Sequence, residues 1–286
     1  MKRAFRNIAA LTWAAMALGF SPLWAQKPKS PKEQAAIVAV QVASTPDARI
    51  AAIENVLTNF ADTEFKVALL QMAIQSEQQK NDYAQIVFYC ERLLKADPKN
   101  AFALVTLASE TARHTRENDL DKDEQLTKVD KWAKDAIEAS KVMPKLRADV
   151  PDSDWEGFKK DMEAQAYEAL GMADVVRKNY DGAANNYKQA LAVGSTPNPA
   201  TMVRLAQVYM NTGKLDNAVF TLDKAINSPN VPDQVKSIAQ NMKNDIAKRK
   251  PAAPAAAPGS SAPGSAAAPA NPAPAATPAP PAGNQP

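Results

Sequence analysis

Apolar residues return every three to four positions along most of this chain, a period close to the 3.6 residues of an α-helical turn and far from the two of a strand. From about residue 31 to residue 249 this pattern persists with few glycines and almost no alternating β-branched runs. It predicts an all-α fold. The helices it predicts span 33–44, 47–59, 64–79, 82–95, 100–116, 124–142, 153–177, 180–194, 199–211, 215–228 and 231–249. Breakers sit between them at "STPDA", "ADPKN", "VMPK", "STPNP" and "SPNVP", which supply N-caps and helix stops. The first ten helices pair into five hairpins, and the last has no partner.

Within this pattern a second, longer period appears. Tyr180, Ala183, Tyr187 and Ala190 in "NYDGAANNYKQALAV" recur as Leu215, Ala218, Leu222 and Ala225 in "KLDNAVFTLDKAIN", so Ala183 and Ala218 stand 35 residues apart. Two helices of a hairpin approach closely only where the crossing residues are small, while larger apolar residues fill the gap to the next hairpin. Ala183 and Ala190 are read as crossing positions, Tyr180 and Tyr187 as fillers. One helix-turn-helix unit has been stacked repeatedly.

These residues resemble the tetratricopeptide repeat family. Tyr167, Leu170, Gly171, Tyr180, Ala183, Tyr187 and Ala190 fall on its signature slots, and Leu205, Ala206, Tyr209, Gly213, Ala218, Leu222 and Ala225 repeat them, with Pro229 near the closing turn. Upstream, Tyr83, Ile86, Cys90, Leu93 and Pro98 take the same slots with bulkier residues at 86 and 93. Ala108, Val129, Ala133 and Ala136 fit after an insertion of roughly nine residues in the turn. The stretch "DARIAAIENVLTNFADTEF" looks like half of a degenerate first unit. The resemblance implies a right-handed α-solenoid of about four to five repeats over residues 30–230, closed by a polar capping helix.

It also implies a concave groove lined by the first helix of each pair, which in that family binds extended peptides or partner helices. Exposed groove positions map onto Gln71, Gln75, Gln78, Ser109, Arg113, Glu168, Met172, Arg204, Gln207 and Asn211. Their mostly polar side chains suit hydrogen bonds to a peptide backbone. The Lys and Asn constellation with which some relatives clamp a chain-terminal carboxylate is not visible.

The chain's two ends differ from its middle. "MKRAFRNIAALTWAAMALGFSPLWA" has a basic start, an apolar run from Ile8 to Phe20 too short to span a bilayer, and helix breakers before Leu23-Trp24-Ala25. It reads as a signal peptide over 1–25, with an uncleaved signal anchor as the alternative. Residues 26–250 form the predicted solenoid domain. The segment 251–286 contains only Ala, Pro, Gly, Ser, Asn, Thr and Gln, and is expected to be a disordered spacer. The predicted destination is the periplasm or the exterior, with no integral membrane segment after signal removal.

Charge and chemistry narrow the function further. The 34 Lys and Arg against 31 Asp and Glu leave +3, and Lys2, Arg3 and Arg6 account for all of it. A neutral remainder argues against nucleic acid as the partner. Cys90 is the only cysteine and lies on an apolar helix face, so no intramolecular disulfide forms. With His114 the only histidine, placed in a polar insert, there is no triad, no Cys-His pair and no histidine metal pair.

Asp152, Asp154 and Glu156 read as helix-start charges rather than a carboxylate pair for catalysis. Asp119, Asp121, Asp123 and Asp130 resemble a calcium loop in spacing, but Glu124 stands where such a loop needs glycine. No catalytic residue, cofactor or metal is assigned. The first expectation is a non-enzymatic scaffold binding protein partners of unknown identity in the cell envelope. A self-assembling structural protein comes second, and an enzyme or regulatory subunit using the 119–130 acids third.

Overall fold

The computed structural model describes residues 27–145 and 150–249. The expected signal peptide over 1–25 and the expected disordered spacer over 251–286 lie outside these residues. Among the described residues eleven helices make up the fold: α1 (Pro31–Val42), α2 (Pro46–Asn59), α3 (Lys66–Lys80), α4 (Tyr83–Ala96), α5 (Ala101–His114), α6 (Lys122–Lys141), α7 (Asp152–Val176), α8 (Tyr180–Val193), α9 (Pro199–Asn211), α10 (Leu215–Ile226) and α11 (Asp233–Arg249). Among these residues there is no strand, and each predicted helix is present with its ends displaced by a few residues at most. The all-α solenoid expected from the sequence is the observed fold.

Three of the quoted breakers supply side-chain caps as anticipated, through Thr45, Asn100 and Asn198, whereas α7 starts after Pro151 without one. Ser30, Thr45, Asp82, Asn100, Asn179 and Asn198 each accept a hydrogen bond from a backbone N–H in the first turn of the following helix, satisfying donors that have no partner inside the helix. Three hairpins turn through a left-handed residue, namely Asn81 between α3 and α4, Lys178 between α7 and α8, and Gly213 between α9 and α10. Lys178 and Gly213 are 35 residues apart, so the turn shares the repeat period.

Successive helices pack against one another in chain order, and α5 also packs on α7 and α9 on α11. Three of the first helices form a more enclosed layer: eight of the 15 residues of α3, eleven of the 14 of α5 and nine of the 13 of α9 are buried, against four each in α4, α8 and α10. This asymmetry sets which face can be a groove. One apolar core runs from α1 to α7 and a second from α8 to α11, with Met172 on α7 touching both. The last helix covers the second core through Val235, Ala239, Met242 and Ile246, one face of α11, with Lys236 and Lys248 exposed and Lys243 paired with Asp223 of α10.

At the other end, Glu33 is buried although it carries a carboxylate. Its oxygens accept the Lys29 N–H at 2.6 Å and the Thr63 hydroxyl at 2.6 Å, which ties the start of α1 to the loop ahead of α3. Hydrogen bonds to both oxygens offset the cost of removing the group from water.

Candidate binding groove

The repeat positions place the groove. Ala183, Ala190, Ala206, Ala218, Leu205, Leu222, Ala225, Tyr187 and Tyr209 are buried, while Tyr167, Leu170 and Tyr180 are partly buried and packed against the two cores. Tyr187 differs from expectation in one respect. Its ring lies on Gly171 of its own hairpin, so it closes the α7–α8 crossing instead of serving only the next unit.

The predicted groove residues sit on α3, α5, α7 and α9. Gln71, Gln75 and Gln78 follow one another at i, i+4 and i+7 and therefore share a face of α3. Gln75, Gln78, Ser109, Arg113, Met172, Arg204 and Gln207 are half-buried, and Asn211 is exposed and accepts a hydrogen bond from Gln207 Nε2 at 2.9 Å. Two positions expected to be exposed are buried, Gln71 and Glu168. The reason is packing: α3 is held between α2 and α4, and Glu168 on α7 is overlaid by Arg204 from α9.

Glu168 is the electrostatic centre of this face. Burial pushes its pKa up, against the opposing pull of Arg204 and, less, Arg113. Arg204 Nη1 stands 3.7 Å from Glu168 Oε2, an ion contact longer than a hydrogen bond. On α5, Arg113 Nη1 donates to Glu110 Oε1 at 2.8 Å and Oε2 at 3.0 Å.

Seven buried side-chain atoms among the described residues have no hydrogen-bond partner: Glu77 Oε2, both amide atoms of Gln78, the Thr106 and Thr201 hydroxyls, Arg113 Nε and Arg204 Nη1. All seven lie on α3, α5 or α9. Two of them nevertheless lie within ion-pair range of a neighbour, Glu77 Oε2 at 3.2 Å from Lys80 and Arg204 Nη1 at 3.7 Å from Glu168. Sequence reasoning missed Glu77, Thr106, Glu110 and Thr201. Their signal was a polar residue inside an otherwise apolar helix stretch, as Thr106 and Glu110 stand in "AFALVTLASETARH".

The remaining candidates are accounted for locally. His114 is the exposed last residue of α5; its ring stacks on Tyr83 at 4.1 Å and its Nδ1 lies 2.8 Å from the Glu110 carbonyl oxygen. Asp130 accepts two hydrogen bonds from Arg177 at 3.1 and 2.9 Å, Asp119 accepts the Arg116 N–H and Asp121 accepts from Gln125. The 119–130 acids thus point to different partners, and no group of three metal-binding side chains exists among the described residues. Asp152 and Asp154 occupy the first turn of α7, favourable against the helix dipole. No described helix is long and apolar enough to cross a membrane.

Comparison with known proteins agrees with this geometry. Residues 177–240 match the tetratricopeptide repeat family model, which covers α8, α9 and α10 and reaches into α11. A thermophilic TPR protein of Thermus thermophilus has the same fold, with a TM-score of 0.51 at 18% identity over 73% of this chain and 98% of that one. No curated protein matches the chain. The 35-residue period, the stacked hairpins and the matched segment together show tetratricopeptide-type repeats at residues 177–240, within a helical fold similar to that of the Thermus protein.

Proposed function

We propose that this protein is an exported scaffold whose inner helical layer holds segments of other proteins in the cell envelope. The observation that carries the reading is the set of half-buried polar side chains shared by the first helices, with Gln75 and Gln78 on α3, Ser109 and Arg113 on α5, and Arg204 and Gln207 on α9. An extended peptide presents alternating N–H and C=O groups, which the half-buried side chains of Gln75, Gln78, Ser109 and Gln207 are suited to receive. The repeat fold favours protein–protein binding over catalysis, and the basic-then-apolar leader over residues 1–25 supports export. In this reading the Ala/Pro-rich segment is a spacer.

The test is site-specific photo-crosslinking from Gln75, Met172 and Gln207 in living cells, with mass spectrometry of the captured species. A discrete partner shared by the three positions is the expected result. Crosslinks confined to copies of this chain would replace the scaffold by a self-assembling protein. Absence of crosslinks at all three positions, with capture from outer-helix positions such as Phe88, would remove the groove from the reading.

A further inference from the structure

The two ends of the helical stack are finished differently. At one end α11 covers the second core and turns Ser237, Gln240, Asn241, Asn244 and Lys248 to solvent. At the other, α1 packs mainly on α2, with Ile37 and Val40 in the first core and Glu33 tied to Thr63. The opposite face of α1 carries Ala35, Val38, Ala39 and Val42, at i, i+3, i+4 and i+7, and all four are exposed, Val38 at 46% and Val42 at 73%. A helix that is apolar all round belongs in an interior, yet a single chain covers only one face of α1.

We propose that α1 is the interface of a homodimer, in which the outer faces of α1 from two copies of this chain pack antiparallel about a twofold axis. Charge selects a second copy as the occupant. No charged residue lies between Glu33 and Asp47, so an axis through the middle of α1 brings no like charges together. The helix ends are complementary under the same operation. Lys32 is exposed in the first turn of α1, the unfavourable end for a cation, while the last turn has no basic residue. Antiparallel pairing sets Lys32 of one copy beside the last-turn carbonyls of the other.

Shape agrees with charge. Ala35 and Ala39 let the two helix axes approach, and Val38 and Val42 fill the space beside the crossing. The face has no aromatic residue, and Lys29 is held by Asp62, so it lacks the anchors of a helix that lies on a membrane. Pairing of like with like uses up the apolar face of both copies, and the polar outer face of α11 offers no equivalent, so assembly stops at two. With 12 residues α1 is about 18 Å long, and such a pair buries less than the about 1,200 Å² of a standard interface. The dimer is therefore reversible, with a dissociation constant on the order of tens of micromolar. The interface lies apart from α3, α5, α7 and α9, so the inference is independent of the groove.

The experiment is sedimentation equilibrium of the full chain, as the producing cells leave it, from about 2 to about 300 µM, a range that brackets that constant. A monomer–dimer equilibrium without larger species is expected. Val38→Glu and Val42→Glu should each raise the dissociation constant at least about tenfold, because the pair would then bury carboxylates. Asn241→Glu on the outer face of α11 should leave it unchanged. Both valines are exposed in the single chain, so the variants should keep the parent's helical circular dichroism and thermal midpoint when dilute. Lys32→Glu should weaken the dimer about threefold or more at low salt, although a carboxylate there favours the start of its own helix.

A chain that stays monomeric throughout, assemblies that grow beyond two, or a dimer indifferent to positions 38 and 42 would each overturn the proposal. A monomer that floats with phosphatidylglycerol vesicles, and no longer does so as Val38→Glu, would assign the face to lipid instead. Crosslinks from Gln75, Met172 and Gln207 do not involve α1, so the scaffold reading stands or falls separately.

Discussion

The ring of Tyr187 on α8 rests on Gly171 of α7, so closely that a Cβ at position 171 would lie 2.6 Å from Tyr187 Cε1 and 2.8 Å from Cδ1. Glycine inside a helix costs about 1 kcal/mol relative to alanine, and here that cost is outweighed by the close approach it permits. Because Tyr187 is buried, its ring cannot swing away into solvent.

Gly171→Ala should therefore destabilise the chain despite the gain in helix propensity, by a net amount of about 1–2 kcal/mol, seen as a lower midpoint in thermal circular dichroism. The same substitution in a Tyr187→Leu background should cost much less. Equal costs in both backgrounds would show that the ring is not what excludes the methyl group.

Lys178 turns the α7–α8 hairpin at φ 62°, and Gly213 turns the next at φ 73° with nothing within 4 Å of a Cβ placed there. Strain in the left-handed region is the main effect at both sites. Lys178→Gly should stabilise by about 0.5–1 kcal/mol, and Gly213→Ala should cost about 1 kcal/mol, both measured by urea denaturation. The exposed Lys178–Glu117 ion pair lost in the first variant contributes little.

Glu168 makes stability depend on pH with a defined sign. Its folded pKa lies above its ordinary value because burial disfavours the charge, so the folded state binds the proton more tightly than the unfolded one. Stability from this group is thus lost as pH rises through the folded pKa. Glu168→Gln removes the penalty and should raise the Tm at pH 7 by about 2–4 °C, for stabilisation on the order of 1 kcal/mol in a domain this size. The advantage should shrink toward pH 4, where the native carboxyl is also neutral. A constant difference between the two pH values would exclude Glu168 as its source.

Cys90 is fully buried on α4, and burial raises its thiol pKa well above the usual range. A thiol-directed maleimide at pH 7 should leave the folded chain unlabelled and react completely in strong denaturant, at a rate in water set by opening of the α3–α5 region. Rapid labelling of the folded chain would place the cysteine at the surface.

The helices, their caps and the repeat register were legible in the sequence because each depends on neighbours within a turn or two of chain. Asn179 caps α8 because it precedes Tyr180, whatever lies beyond. Ala183 and Ala218 announce a stacked unit by spacing alone. The groove was legible as a set of helices, but Gln71 and Glu168 were expected to be exposed, and Glu77, Thr106, Glu110 and Thr201 were passed over.

A polar side chain on a helix cannot be assigned to solvent or interior until the helices across from it are placed, and those come from tens of residues away. The sequence by itself determined that this chain folds as stacked helical hairpins, since period, small residues and turn residues act locally. Only the tertiary structure decided that Arg204 crosses to Glu168 and that Glu168 is buried beneath it. Burial and electrostatics there are set by distances between helices, and sequence spacing does not encode those distances.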